Sequence, residues 1–398
     1  MLYSPKSFRL HIGLFGRRNV GKSSLLNALV GQQVSIVSDQ TGTTTDPIEK
    51  PMEFLPLGPV LFIDTAGMDD EGVLGKLRMQ RSESVLNRVD IGIVVTEADQ
   101  WGPHEDRLLS ELQKRKVPTL IVINKSDIKA PTNDHLLDIR LKGNIVVVCS
   151  TIKGDGIADV REAMLRLAPT DHFENRRLAS DLANPGQVAL LVVPIDSQAP
   201  KGRLILPQAM TIRDLLDNGS IPMVCPLDGI AGALNSLLTP PAIVITDSQA
   251  FGKVSSQIPE AIPMTSFSIL MARFQGDLHE MARGAASISK LREGDTVLMA
   301  ETCSHHPTGD DIGREKIPEW LTKYVGATLN FVHTNGKDFP EDLSPYSLVV
   351  HCGNCTGNRR EMLSRIHKCR EAGVPITNYG LAIAYSLGIL ERALKPFR

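Results

Sequence analysis

Long apolar runs are missing from this 398-residue chain. Nothing approaches the roughly eighteen consecutive apolar positions that a membrane-spanning helix needs. The first ten residues carry basic side chains but no apolar stretch that would serve as a secretory leader. A charge excess is missing too: 43 Lys and Arg face 45 Asp and Glu, leaving a formal charge of −2. That balance argues against a general nucleic-acid or membrane-surface binder, although it leaves room for a local patch. Cysteine is scarce and uneven. Cys149 and Cys225 stand alone, whereas Cys303, Cys352, Cys355 and Cys369 lie in the last quarter. The expected compartment is the cytoplasm, where disulfides are rare, so clustered thiols there point to metal or redox chemistry.

What is present is an ordinary globular composition, 42% hydrophobic and 22% charged, in a chain too long for one core. Segments 10–15, 60–63, 91–95, 119–123 and 145–148 read as buried strands, and segments 23–30, 77–86 and 104–115 as amphipathic helices. That alternation predicts an α/β fold with a mostly parallel sheet wrapped by helices. The stretch around residues 168–185 turns polar and Pro-bearing, which predicts a first boundary; Pro259 and Pro263 predict a second near residue 265. Further α/β alternation fills 188–246 and 266–377. The expected domains are therefore 1–168, 180–264 and 265–398.

Gly16-Arg17-Arg18-Asn19-Val20-Gly21-Lys22-Ser23 follows the first strand and opens the first helix. This is the phosphate-loop pattern in its required strand–loop–helix setting. Its glycines let backbone N–H groups of Asn19, Val20, Gly21 and Ser24 turn toward phosphates at a helix N-terminus. Lys22 is expected to neutralise the β- and γ-oxygens and the Ser23 hydroxyl to bind Mg2+. Asp64-Thr65-Ala66-Gly67 ends another strand; Asp64 is expected to hold a Mg2+-bound water, and the Gly67 N–H to meet the γ-phosphate. Asn124-Lys125-Ser126-Asp127 then supplies the base test. The Asp127 carboxylate accepts from both the ring N–H and the exocyclic amine of guanine, a pair that adenine does not offer. Ser150 is a weaker candidate for closing the base pocket. The expected ligand is GTP or GDP, read by a Ras-like P-loop GTPase domain.

Between the phosphate loop and Asp64 lies Gly42-Thr43-Thr44-Thr45-Asp46, a polar run suited to a switch. Thr44, with Thr43 close behind, is expected to reach Mg2+ when a γ-phosphate is present. The catalytic set is then Lys22, Thr44 and Gly67. Met68 stands where many GTPases place a water-orienting Gln, so transition-state stabilisation must come from elsewhere. Glu71 is a minor candidate. These motifs resemble the TrmE-Era-like branch of GTPases. In its TrmE-like members an Asn matching Asn19 helps to hold K+, which implies stimulation by K+ here.

Cys303-Ser304-His305-His306 follows a strand ending near Ala300, and His351-Cys352-Gly353-Asn354-Cys355 ends another. Two strand ends of one sheet thus present thiols and imidazoles to the crevice where open α/β sheets bind ligands. The Cys352–Cys355 spacing lets two sulfurs reach one metal from a turn. Three thiolates with a histidine suit a zinc ion or an iron–sulfur cluster alike on spacing alone. His306 and His333 are weaker candidates, and Cys149, Cys225 and Cys369 read as small buried hydrophobes.

The whole pattern, a GTPase domain followed by Cys-x-His, a long spacer and His-Cys-x-x-Cys, resembles the HydF family of FeFe-hydrogenase maturation GTPases. The resemblance spans essentially the full chain, with 45 residues between His305 and His351. It implies a small α/β dimerisation domain in the middle and a C-terminal α/β cluster-binding domain. It places the cluster-ligating cysteines on Cys303, Cys352 and Cys355, with His305 or His351 as fourth ligand of a 4Fe–4S cluster. It also implies a homodimeric scaffold that assembles or delivers the di-iron precursor between radical-SAM maturases and apo FeFe-hydrogenase. Two other readings are weighed beside it: a TrmE- or Der-like RNA-modification or ribosome-assembly GTPase, and a GTPase with a structural zinc domain. The balanced charge speaks against the first.

Overall fold

The computed structural model describes residues 5–31, 47–65, 84–141, 145–169, 177–195, 202, 204–302, 311–336 and 338–398. Two compact units divide the chain, residues 1–175 and 176–398.

The first unit is a six-stranded sheet. Its strands are β1 (Leu10–Phe15), β2 (Ile48–Phe54), β3 (Gly58–Asp64), β4 (Ile91–Glu97), β5 (Thr119–Asn124) and β6 (Ile145–Val148), in the order β2-β3-β1-β4-β5-β6. Only the edge strand β2 runs antiparallel. Helices lying wholly within its described residues include α1 (Lys22–Val30), α2 (Pro103–Lys114), α3 (Asn133–Leu141) and α4 (Ile157–Leu167). Because side chains alternate along a strand, neighbours in sequence serve opposite cores. Ile12, Phe62, Ile93 and Val122 pack with Leu25 and Leu29 of α1 and with Val160 and Met164 of α4. Leu61, Ile63, Val94 and Ile121 face the other way, toward Leu108 and Leu112 of α2. Burial on both faces explains why these strands read as continuous apolar runs.

The second unit holds two four-stranded sheets, both wholly parallel. The first, ordered β10-β9-β7-β8, comprises β7 (Val188–Val192), β8 (Ile221–Cys225), β9 (Ile243–Thr246) and β10 (Met264–Ser266). Helices α5 (Leu206–Asp217), α6 (Ile230–Asn235), α7 (Phe251–Ser255) and α8 (Phe267–Gln275) accompany it. The second, ordered β12-β11-β13-β14, comprises β11 (Thr296–Ala300), β12 (Asn330–Thr334), β13 (Leu348–His351) and β14 (Ile376–Asn378). Around it lie α9 (Leu278–Ala286), α10 (Ile317–Val325), α11 (Arg359–Glu371), α12 (Tyr379–Ser386) and α13 (Leu390–Leu394).

One apolar core runs through both sheets: Leu190 and Val244 share it with Ile269 of α8, Met281 of α9, Leu298, Val349 and Ile366. β10 pairs with β9 through Ser266, so the chain is still in the first sheet at residue 265. Polar anchors add to the core. The Asp214 carboxylate accepts the backbone N–H groups of Leu178, Ala179 and Ser180 at 2.7–3.1 Å, pinning the start of this unit to α5. Arg392 of α13 donates to the carbonyls of Ser255, Ile258 and Pro259 at 2.8–2.9 Å. Among the described residues no helix is long and apolar enough to cross a membrane.

In the first unit His11 is buried in β1, with Nε2 bonded to the Lys6 carbonyl and Nδ1 without a partner. Burial, and then the Arg88 charge, push its pKa down to about 4 against the opposing Lys6 bond. A histidine kept neutral by folding contributes fully above its unfolded pKa near 6.5, and that contribution is lost as the pH falls toward 4. The loss should be about 3 kcal/mol across that window. Urea unfolding followed from pH 7 to 4 should therefore be flatter in His11→Gln than in the parent; parallel slopes would show that His11 is not the buried neutral group described here.

Candidate functional site

The phosphate loop turns between β1 and α1, and two of its glycines are required by geometry. A Cβ on Gly16 would stand 2.2 Å from the Val95 carbonyl oxygen, and one on Gly21, at φ 92°, would stand 2.3 Å from Asn124 Nδ2. Asn19, at φ 62°, also takes the left-handed conformation, which Asn tolerates better than most residues. Lys22 is buried, and its Nζ donates to the Gly16 and Arg17 carbonyls at 3.0 and 2.7 Å. The ammonium is thus held inside the loop that would receive a phosphate. The Ser23 hydroxyl donates to Asp64 Oδ2 at 2.6 Å across the ends of β1 and β3. Burial raises the Asp64 carboxyl above its ordinary range, while Ser23 and Lys22 pull it back. A hydroxyl and a carboxylate side by side beside a lysine form a donor set that fits a hard, oxygen-bound cation such as Mg2+.

The base-reading segment is tied to the same loop. Asn124, fully buried at the end of β5, donates from Nδ2 to the Val20 carbonyl at 3.0 Å and accepts the Thr151 N–H at 3.2 Å. Ser150 donates to Asp127 Oδ1 at 2.6 Å, and this bond holds the carboxylate below its usual range. Lys125 pairs with Glu97, at the end of β4, at 2.7 Å. Ser24 lies in the first turn of α1. Thr43, Thr44, Gly67, Met68 and Glu71 lie outside the described residues.

At the carboxyl ends of the last sheet, Cys352 follows β13 directly. Its N–H donates to the Ala300 carbonyl at 2.9 Å, and its Sγ accepts the Thr302 N–H at 3.2 Å. The Thr302 hydroxyl donates to Asn354 Oδ1 at 2.9 Å. Asn354 takes φ 52°, and a Cβ on Gly357 would stand 2.1 Å from its Oδ1, so the turn carrying both cysteines has little slack. Cys355 is pushed up to about 11 by burial and by the charge of Cys352. Thr302 is the residue before Cys303; Cys303, His305 and His306 lie outside the described residues. Among the described residues no three metal-ligating side chains converge, and Cys149, Cys225, Cys352, Cys355 and Cys369 are free thiols.

His351 is fully buried, and its Nδ1 lies 2.8 Å from the Cys352 carbonyl and its Nε2 2.8 Å from Arg365 Nη1. Burial and the Arg365 charge lower its pKa to about 3. Cys149 and Cys369 are buried as expected, whereas Cys225 is half-buried because β8 is an edge strand. His333 is half-buried on β12, and its Nδ1 finds no partner.

Several partners were invisible in the sequence. Arg17 of the phosphate loop makes a two-pronged pair with fully buried Glu105 of α2, at 2.8 and 2.9 Å. Glu105 also accepts the Gly102 N–H at 2.9 Å. The one available signal was Glu at the third position of a helix opening on Gly-Pro. Tyr379 donates to buried Glu301 at 2.9 Å beside Thr302; no spacing rule marks that pair.

A glycine-bearing phosphate loop, a Mg2+ pair and an Asn-Lys-Ser-Asp base reader at adjoining strand ends define a guanine-nucleotide-binding P-loop GTPase. The family model described as 50S ribosome-binding GTPase matches residues 11–125. GTPase Era of Carboxydothermus hydrogenoformans is 34% identical over 164 residues, covering 40% of this chain and 55% of that protein. The tRNA modification GTPase MnmE of Bacillus velezensis is 33% identical over 179 residues, covering 45% and 38%. GTPase Der of Wolinella succinogenes is 36% identical over 125 residues, covering 30% and 26%. The chain therefore spans about half the length of these curated relatives or less. Among solved structures, Era of Aquifex aeolicus aligns with 54% of this chain and 92% of its own at 19% identity, with a TM-score of 0.37. Beyond the GTPase unit, the hydrogen maturase F dimerization domain matches residues 178–276 and the hydrogen maturase F tetramerization domain residues 279–396. The chain belongs to the hydrogen maturase F family and carries a GTPase domain.

An Asp127→Asn change should weaken GTP binding roughly 100- to 10,000-fold and shift preference toward xanthosine triphosphate, whose 2-carbonyl accepts from the new amide. Titration with fluorescent analogues of both nucleotides checks this, and unchanged GTP affinity would remove Asp127 from the base pocket.

Proposed function

We propose that this GTPase is a scaffold for the di-iron precursor of FeFe-hydrogenase. A 4Fe–4S cluster on Cys303, Cys352 and Cys355 would take the precursor from radical-SAM maturases and yield it to apo-hydrogenase. The observation that carries the reading is the Thr302 N–H bond to Cys352 Sγ at 3.2 Å, which ties the residue before Cys303 to the Cys352–Cys355 turn. Thiols contributed by two strand ends, with a backbone N–H already directed at one sulfur, fit a thiolate-held centre. When bound, such a cluster supplies one iron open to an exchangeable ligand, where cargo docks. The chain's own residues hold the turn: Thr302 and Asn354 fix its geometry, and the buried core beneath Cys355 excludes water.

Oligomer formation is part of the proposal. The edge strand β8 leaves Ile221 50% and Val224 46% exposed, a surface suited to a second copy of the chain. GTP hydrolysis would gate partner exchange through the switch containing Thr44. K+ near Asn19 would stand where an arginine finger supplies charge in other GTPases, since Met68 offers no polar group.

Anaerobic reconstitution with iron and sulfide should give a brown protein, and Cys303→Ser, Cys352→Ser or Cys355→Ser should each bleach it. Stoichiometric zinc without iron under those conditions would replace this reading with a structural metal site, and tight, salt-sensitive tRNA binding would revive an RNA-directed one. Hydrolysis should run several-fold faster in K+ than in Na+, and Asn19→Ala should abolish the difference; equal rates in the two salts would take Asn19 out of the mechanism.

A further inference from the structure

We propose that His351 is a positioning residue for Cys352 and not a cluster ligand, and that Arg365 holds it in that role as a buried cation behind the metal site. The inference rests on the cluster reading above and deepens it.

Hydrogen-bond chemistry assigns the imidazole completely. A guanidinium donates and never accepts. Arg365 Nη1, 2.8 Å from His351 Nε2, therefore requires Nε2 to be unprotonated. The neutral ring then carries its proton on Nδ1, which donates to the Cys352 carbonyl at 2.8 Å. With the Cys352 N–H committed to Ala300, both backbone polar groups of Cys352 are held, and the Thr302 N–H holds its sulfur.

Either route to iron ligation by His351 would be costly. Binding through Nε2 would evict the guanidinium and leave a 5%-exposed cation short of a partner. Binding through Nδ1 would give up the Cys352 carbonyl and place a protonated Nε2 against a guanidinium donor. Arg365 is itself held from several directions. It donates to Gly336 O at 2.8 Å and to Glu361 at 2.9 Å, and its Cζ lies 5.1 Å from the Phe339 ring centre. The loop after β12, helix α11 and strand β13 thus meet on one guanidinium. Its charge lies on the far side of the imidazole from Cys352, where it would stabilise added negative charge on a thiolate-bound cluster.

Two measurements on the full-length chain test this. In metal-free protein labelled with 15N-histidine, the resonances lost in His351→Gln should report protonated Nδ1 and unprotonated Nε2. Arg365→Gln should destroy that fixed tautomer. A protonated Nε2 at neutral pH would overturn the proposal, whether or not the protein takes up iron. In the iron-loaded protein, His351→Gln should keep the parental iron and sulfide content and remove no directly bonded nitrogen coupling from the pulsed EPR spectrum. Arg365→Gln should move the cluster's midpoint potential to more negative values, and Arg365→Lys should restore most of the shift. Loss of a bonded nitrogen signal in His351→Gln, or one midpoint for parent and Arg365→Gln, would sink it. A parent chain that binds no iron would defeat the cluster reading alone, because the tautomer measurement still decides the histidine.

Discussion

Parallel strands end on the same side of their sheet, and a residue placed just past one strand end meets residues just past the next. In the first sheet that rule unites Phe15 and the loop after it, Asp64, Glu97 and Asn124, although more than a hundred positions separate the outermost of them. In the last sheet the pairing of Ala300 with His351, and of His351 with Asn378, brings Thr302, Cys352 and Tyr379 into one crevice. Both candidate sites therefore depend on backbone register. A one-residue slip would turn each functional side chain to the wrong face, and the apolar faces on both sides of every central strand resist such a slip.

Register gathers the groups; buried polar bonds then hold them in place. Lys22 takes two loop carbonyls, Asn124 takes Val20, and Arg17 takes Glu105, so the phosphate loop is braced from β5 and α2 as well as from its own glycines. A loop braced in this way gives up little conformational entropy when an anion arrives. The cysteine turn follows the same logic: Thr302, Asn354 and His351 occupy the polar groups that would otherwise let it flex.

What the sequence disclosed follows from these two layers. The phosphate loop, Asp64 and Asn124–Asp127 were legible because chemistry there needs particular residue types at short fixed spacing, next to strands whose apolar runs are unmistakable. The α/β class and the GTPase unit were legible for the same reason. Arg17–Glu105 and His351–Arg365 were not. They join residues 88 and 14 positions apart respectively, no spacing rule marks either pair, and an Arg reads as solvated until the fold buries it, even on a helix face that also carries Met362, Ile366 and Cys369. The proline-rich stretch near residue 260 reads as punctuation between domains. In the structure it leads into β10 and α8, and α8 contributes to cores on both of its sides, Ile269 and Ala272 to one and Leu270 and Phe274 to the other. Hydrophobic continuity across two sheets leaves no trace in local composition.

If the proposed cluster is held without His351, the charge at the cysteine turn has to be balanced by other groups. A centre held by thiolates alone would gather negative charge beside the buried Glu301 carboxyl, and such charge needs compensation. The Thr302 N–H would supply some at the sulfur, and Arg365 would supply more from behind the imidazole, in place of a neutral ligand that would carry none. Of the two histidines that the family resemblance offers for the fourth position, His305 would then remain; failing that, the iron would keep an exchangeable ligand. On the scaffold reading proposed above, this division would be useful, because the groups that fix the sulfurs are separate from the position that would have to open.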